Sequence, residues 1–525
     1  MSDYPQDEYS EEQSYEDQSY EQDPELAATE EIIGEEGHEE EAEEEAVEEE
    51  PTEEESVEEE AVEEEPTEEE SVEEEAVEEE LQEEESSDEQ PVEEELQEEE
   101  APEEEPAAEE VYDGETLEAP AENSGDEDRS LDAEGFEITL ENRTNVEQVF
   151  CYVTGQALDN GNRVCFVKAD RRTTYFPENI TEVGSEVPED CAIRLGAPGE
   201  TIAVTIPHIA GGRIWFSLDQ KLTFYLNPGG NGPAIAEPSV TNKTDPNIDI
   251  RWGFCEFTYN RDQIYANISY VDFVSLPISM RLETTSGDVQ SVEGLYQDGL
   301  DSVVAGLRAM DSDYAADWQS LIYPGDGTPL RVLSPNNAHV WSGGKAFAGY
   351  YEPYVHAVWA RYRNEALLVD TQASYGTLEG RCDDADDGDT LVFGRHGRFA
   401  RPSTGDVFSC STGPFRDNQG AMGPLTARIS AALNRSTLLR NPAQPTAETV
   451  ASFYAHDVTN HYARLVHAAN PDGRGYAFPY DDVPAPGDVD QSGFVTGQPR
   501  AFHVCIGSVV RRSDSEAVAE EGGLE

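Results

Sequence analysis

The stretch Trp252-Gly-Phe-Cys-Glu256-Phe-Thr258-Tyr-Asn260, with Ala266-Asn267-Ile-Ser-Tyr-Val-Asp272-Phe-Val-Ser275 shortly after it, decides how this chain is read. Aromatic and β-branched residues dominate both halves, and they fit a pleated, half-buried surface. Side chains alternate along a strand, so Ile250, Trp252, Phe254, Glu256 and Thr258 share one face. On a second strand Asp272 shares a face with Ile264, Ala266, Ile268 and Tyr270. A carboxylate in such a run is costly unless something pairs it or uses it. Two carboxyls flanking a groove are the equipment of glycoside hydrolysis. The pattern alone equally allows plain strand carboxylates paired to Arg251 or Arg281. A simple hairpin turning at 259–263 pairs Glu256 with Ala266 and leaves Asp272 about 20 Å further along a straight strand. A working pair therefore needs strong curvature or a longer connection.

Strand patterns continue on the N-terminal side. Gln148–Thr154, Arg163–Val167, Thr201–Ile206, Gly212–Leu218 and Leu222–Leu226 are short apolar runs, with turns at Asp159-Asn-Gly-Asn and Pro228-Gly-Gly-Asn-Gly-Pro between them. Many short strands with regular turns suggest a sandwich or barrel. Helical periodicity then appears at Val292, Leu295, Tyr296, Leu300, Val303, Val304 and Leu307. It recurs at Val450, Phe453, Tyr454, Val458, Tyr462, Leu465 and Val466, ended by Asn470-Pro471, and more weakly from Leu425 to Leu439. Tyr354–Ala360 and Ala366–Val369 read as strands, and strand character returns at Tyr476–Tyr480 and Arg500–Ile506. The expected fold is mainly β with an α/β lobe: a β sandwich or barrel over 135–286, a mixed α/β lobe over 287–470, and return strands of the β domain over 471–510. A groove between two such lobes is a natural ligand site.

The flanks are a different polymer. Residues 1–130 hold 64 acidic residues and a single basic one, Arg129, so most of the net charge of −85 sits in the first quarter. A five-residue unit, as in Ala46-Val-Glu-Glu-Glu and Pro51-Thr-Glu-Glu-Glu, matches neither the helix nor the strand period. Disorder is expected for 1–134 and for the tail 511–525. Such a segment is a solubilising tail, or it offers charge to a basic partner or to divalent cations. Nucleic acid is not the expected partner, because both halves are acidic and phosphate needs Lys and Arg. No run of about 20 apolar residues exists to span a membrane. Met1-Ser-Asp-Tyr-Pro-Gln-Asp-Glu lacks the basic and apolar regions of a signal peptide, so an intracellular location is expected, as opposed to the ordinary secretory route.

Other chemistry is sparse. Seven cysteines show no Cys-x-x-Cys, and Cys382 with Cys410 is the expected pair if any disulfide forms. Asp488-Val-Asp-Gln-Ser-Gly and Asp383-Asp-Ala-Asp-Asp-Gly-Asp begin like calcium loops but lack the twelfth-position Glu, so no metal site is expected. His456 and His461, five apart on the expected second helix, share no face and make a poor metal pair. Asp481-Asp482 follows an expected strand, where Asp482 is placed as a sugar ligand lining the groove; a plain turn acid beside Pro484 is the other reading.

Five blocks carry a resemblance. They are Gly211-Gly-Arg-Ile-Trp-Phe-Ser, Glu237-Pro-Ser-Val-Thr-Asn, Trp252–Asn260, Ala266–Ile278 and Tyr476-Ala-Phe-Pro-Tyr-Asp-Asp-Val. Together they resemble glycoside hydrolase family 64, endo-acting β-1,3-glucanases with a thaumatin-like β domain and a mixed α/β lobe. The resemblance covers roughly residues 135–510. It implies an inverting hydrolase of β-1,3-glucan that needs no cofactor, with Glu256 as general acid and Asp272 as general base. It further implies that Thr258 and Asn260 bind sugar, and Trp252 is placed beside them as a substrate-binding residue. The family is typically secreted, against the reading of the N-terminus above. A non-catalytic β-glucan-binding module with an acidic interaction tail is the other function considered, and an acidic scaffold for basic partners a third.

Overall fold

The computed structural model of this protein describes residues 135–510, apart from Asn231, Asp326, 383–387, Pro486, Asp488, Val489 and Val509. The acidic repeat, the C-terminal tail, the acidic run at 383–387 and the first two residues of the Asp488 loop therefore lie outside the described residues.

Two sheets make the β part. The first strand, Phe136–Asn142, buries Ile138 and Leu140 and turns Glu137, Thr139 and Glu141 outward. It lies parallel to the last strand, Pro499–Ile506, and antiparallel to Thr201–Ile206. Ile278–Thr284 and Val289–Val292 complete this five-stranded sheet. A larger sheet runs in the order Phe494–Gly497, Ile264–Ile268, Trp252–Tyr259, Ile209–Leu218, Val149–Ala157, Arg163–Val167 and Thr174–Tyr175, with Ile193–Arg194 off its path. Leu140, Met280, Leu282 and Val504 of the first sheet join Val153, Ile214, Phe216, Cys255 and Phe257 of the second in one apolar cluster. The two sheets are thus the halves of a sandwich.

The larger sheet is covered on its other face as well. Tyr152, Trp215, Trp252 and Phe254 pack there with Phe166, Leu222, Phe224 and Phe273. Burial on both faces explains why Trp252–Phe257 is almost continuously apolar where a one-sided strand would alternate. Each such aromatic side chain taken from water contributes about 1.5–3 kcal/mol.

The helices Gly299–Arg308, Glu352–Tyr362, Met422–Asn434 and His461–Ala468 belong to the intervening segment. So does a further small sheet built from Arg398–Ala400, Thr390–Val392, Thr377–Cys382, Leu367–Asp370 and Ala443–Gln444. Leu300, Val303 and Leu307 on one helix, and Val358 and Leu425 on others, belong to the same apolar cluster as the sandwich core.

Several local expectations are corrected. Tyr354–Ala360 is not a strand but the middle of the helix Glu352–Tyr362. Tyr354, Val355, Val358, Trp359 and Tyr362 are its buried residues, a helical spacing hidden under strand-like composition. Val450–Val466 is not one helix: Val450–Ser452 is a single 3-10 turn, and the helix begins at His461. Asn460 sets that start by accepting a hydrogen bond from the Ala463 N–H. His456 and His461 therefore do not share a helix. Val292 closes a strand, and the helix that follows begins at Gly299. The third helix runs Met422–Asn434. Tyr476–Tyr480 forms turns, with an isolated bridge from Tyr476 to Ser269. Cys382 and Cys410 are both buried free thiols, as are the other five cysteines.

Candidate active site

The hairpin of the opening stretch is built by Asn260. Its side-chain oxygen accepts from the N–H groups of Asp262 and Gln263, both at 2.9 Å, which fixes a tight connection. The resulting register sets Glu256 opposite Asn267 and Phe257 opposite Ala266, one residue from the expected pairing. On its other side Glu256 faces Arg213. The second strand stops at Ile268. Tyr270 then leaves the ladder, its N–H bonding the Tyr476 carbonyl at 2.7 Å, and the chain bends at Val271 and Asp272. Phe273–Val274 pairs with Arg331–Leu333 in a separate small sheet. Phe273 packs edge-on against Trp252 and Phe254, with centroids 4.7 and 6.1 Å away. Asp272 is thereby carried back over the face that bears Glu256. The bend does what a straight strand cannot.

Around Glu256 the polar contacts are specific. Glu256 Oε1 accepts from Arg213 Nη2 at 3.1 Å and from Nε at 3.3 Å. Its Oε2 faces Asn267 Nδ2 at 3.4 Å. Arg213 Nη1 donates to Glu237 Oε2. The guanidinium lies over the Phe254 ring at 4.6 Å and the Trp215 ring at 5.5 Å. Asn337 Nδ2 donates to Asp272 Oδ1 at 3.3 Å and to its carbonyl at 2.9 Å. Asn337 is held by the short helix Pro335–Trp341, whose cap is Ser334.

Electrostatics tie these groups into one cluster. Asp272 is exposed along one side, yet the surrounding protein strips enough water to raise its pKa. Asn337 and Arg213 oppose that rise and Glu256 adds to it. Glu237 is also raised, chiefly by desolvation; Arg213 opposes the rise, while Glu256 and Asp272 reinforce it. Arg213, Ile235, Glu237, Glu256, Thr258, Tyr265 and Asn267 line an open cavity of ≈ 520 Å³. Tyr265 stacks on Phe494, with centroids 5.2 Å apart and planes at 18°. Beyond that pair stand Asp482 and Asp490, close enough to help desolvation push the Tyr265 hydroxyl up to about 12.

The expected site residues separate clearly. Glu256 and Asp272 come together, and neither pairs with Arg251 or Arg281: Arg251 donates to the Pro329 carbonyl and Arg281 pairs with Glu283. Thr258 lines the cavity. The Asn260 side-chain oxygen is committed to the turn. Trp252 does not reach the groove surface. It is 1% exposed, donates from Nε1 to the Asn247 carbonyl and supports the site from beneath. Asp482 is exposed, whereas Asp481 beside it is fully buried. Arg435 Nη2 reaches Asp481 Oδ1 at 3.1 Å, and His467 Nε2 lies 2.9 Å from Oδ2. Asp481 thus anchors the turn that presents Asp482.

Sequence reasoning passed over Arg213, Glu237, Asn267, Tyr265 and Asn337. For Arg213 a signal existed: it is the lone charge in Ile209–Leu218 and alternates onto the same face as Trp215. Asn337 lies 65 residues from Asp272, and no local pattern marks it. Elsewhere, among the described residues, Glu141, His503 and Cys505 form one further His/Cys/carboxylate group. The Arg143 guanidinium already holds the shared Glu141 oxygen at 2.9 Å, so the group reads as a hydrogen-bonded cluster on the sandwich exterior.

Known proteins share the sequence and the fold. A glucan endo-1,3-beta-glucosidase of Arthrobacter sp. (strain YCWD3) is 32% identical over 315 residues, 58% of this chain and 53% of that protein. One from Cellulosimicrobium cellulans matches to the same extent. The chain therefore spans about half the length of these curated relatives. The crystal structure of a laminaripentaose-producing beta-1,3-glucanase in complex with laminaritetraose superposes with a TM-score of 0.63 at 30% identity, covering 71% of this chain and 99% of that one. A beta-1,3-glucanase domain from Clostridium beijerinckii shares the fold at 21% identity, with a TM-score of 0.55 over 71% of this chain and 98% of that one. The profile of the beta-1,3-glucanase family matches residues 134–506. The protein that carries Glu256 and Asp272 on this folded-back hairpin belongs to glycoside hydrolase family 64, the beta-1,3-glucanases.

Proposed function

We propose that this protein hydrolyses β-1,3-glucan by an inverting general acid/base reaction. The observation that carries the proposal is the bend after Ile268, which brings Asp272 into the field of Glu256 although sixteen positions separate them. Glu256 is the general acid. One of its oxygens is held by Arg213, and the other faces Asn267 at the cavity. Asp272 is the general base. Its Oδ1 is oriented by Asn337, and its raised pKa makes it a stronger proton acceptor than a free aspartate.

In the reaction Glu256 protonates the glycosidic oxygen as the bond to the anomeric carbon breaks. Asp272 takes a proton from the water that attacks the opposite face of the ring. Room for that water requires carboxyls about 6.5–9.5 Å apart. The transition state carries positive charge on the sugar ring, and the carboxylates around it stabilise that charge. Tyr265, stacked on Phe494, offers a flat apolar face to a sugar ring. Thr258 and Asp482 offer hydroxyl and carboxylate partners to sugar hydroxyls.

The test is release of reducing sugar from a soluble β-1,3-glucan by the full chain, with product anomers followed by NMR. Initial formation of the α-anomer establishes inversion. Glucan binding without product across a broad pH range would overturn the hydrolase and leave a binding module.

A further inference from the structure

Arg213 stands between two carboxylates, and it treats them unequally. Its Nη1 makes its closest contact with Glu237, while Nη2 and Nε both turn to a single oxygen of Glu256 at 3.1 and 3.3 Å. This is not the two-oxygen fork that an arginine forms when it grips one carboxylate alone. The guanidinium lies over the Phe254 and Trp215 rings, which holds it beside both carboxylates. Glu237 and Glu256 are each about 30% exposed, with side-chain values of 27% and 31%. Neither is so buried that it demands a cation of its own.

A general acid must hold its proton until substrate is bound. An undivided arginine would oppose that by stabilising the carboxylate. We infer that Glu237 is a positioning residue for catalysis: it takes the Nη1 end of Arg213 and divides that cation, so that the guanidinium orients Glu256 without engaging it alone. The inference rests on the acid role of Glu256 proposed above. Arg213 faces Glu256 from the neighbouring strand, Tyr265 and Asn267 from the hairpin partner, Glu237 from the segment after Ala234–Ala236, and Asp272 from the bend. Asp482 and Asp490 lie further off, beyond Tyr265. Among these groups Arg213 is the sole cation, and Glu237 takes its closest contact.

The experiment is the pH profile of kcat/KM on soluble β-1,3-glucan for the full chain and three variants. Glu237→Gln releases Arg213 to Glu256, and the basic limb of the profile moves to lower pH by about one unit or more. Arg213→Gln removes the cation, and the same limb moves to higher pH. The double variant leaves two neutral amides and returns the limb toward its wild-type position. A residue that only props up the fold gives no opposed pair of shifts. Unmoved limbs in both single variants, with wild type active, would overturn the role of Glu237. Absence of hydrolysis by wild type would instead overturn the functional proposal itself. Should Glu237→Gln fail to fold, as judged by circular dichroism, the smaller neutral Glu237→Ser takes its place with the same downward shift expected, and a limb that stays put or rises there refutes the inference.

Discussion

Two arginine–carboxylate clusters in this molecule use the same residue types for opposite ends. In the groove, Arg213 serves Glu256 and Glu237, all three with side chains near 30% exposed. In the core, Arg435 and Asp481 are 1% and 0% exposed, with His467 completing the group. Arg435 is packed over Phe453 at 4.4 Å and donates to the carbonyls of Val483 and Asp481. Asp481 is filled on both oxygens: Arg435 on one, and the Ala477 N–H and His467 on the other. Complete burial leaves no approach for a ligand. Glu256, by contrast, keeps an oxygen whose sole partner is a long contact from Asn267. A carboxylate sealed in the core with donors on both oxygens is structural, and one with an oxygen open to a cavity is available for chemistry.

The largest expected effect breaks the groove half of this comparison. Glu256→Gln lowers kcat on β-1,3-glucan by about 10²–10⁴-fold, the range for loss of a general acid. Its melting temperature stays close to wild type. A variant that keeps a tenth of the rate would remove Glu256 from the mechanism. Next, Asp481→Ala leaves Arg435 charged and buried, and costs about 3–5 kcal/mol of stability by urea titration. Its folded fraction still turns over substrate, because the lesion is in the support and not in the reacting groups. An unchanged urea midpoint would show that the core pair is not a support at all.

Smaller effects sharpen the contrast. Tyr265→Ala removes the face stacked on Phe494 and raises KM about tenfold, equivalent to ~1.4 kcal/mol, with kcat less affected. An unchanged KM for oligosaccharides would mean that sugar does not use this face.

The pH dependence of stability has opposite signs in the two clusters. Burial pushes the Asp481 carboxyl up, but His467 and Arg435 together hold it below its ordinary 3.8. Its contribution is present above that value and is lost as pH falls through the lower folded pKa. Asp272 and Glu237 are raised, so the folded protein takes up their protons more readily than the unfolded chain does. They weaken the fold at neutral pH and cease to do so on acidification. Asp272→Asn therefore raises the melting temperature slightly at about pH 7 and not at about pH 4. A loss of stability at neutral pH in that variant would contradict the sign.

The sequence was sufficient for the β character of the chain and for singling out the two carboxylates proposed above as acid and base. Glu256 and Asp272 stood out because a charge inside an apolar run has a cost that local pattern reveals. The strands were legible wherever one face or both were apolar. The helix at Glu352–Tyr362 was misread because Tyr, Val and Trp favour strands by composition and only their spacing betrays a helix. Trp252 was assigned to sugar because an aromatic residue beside an acid fits either role, and only packing shows which side of the sheet is covered. The tertiary structure decided everything that depends on long-range register: the bend that returns Asp272 to Glu256, Asn337 behind it, and Glu237 sharing Arg213. These partners lie 16 to 65 residues apart. Periodicity reports the face of one element, whereas a site is made by which faces meet, and that is set by the packing of the whole core.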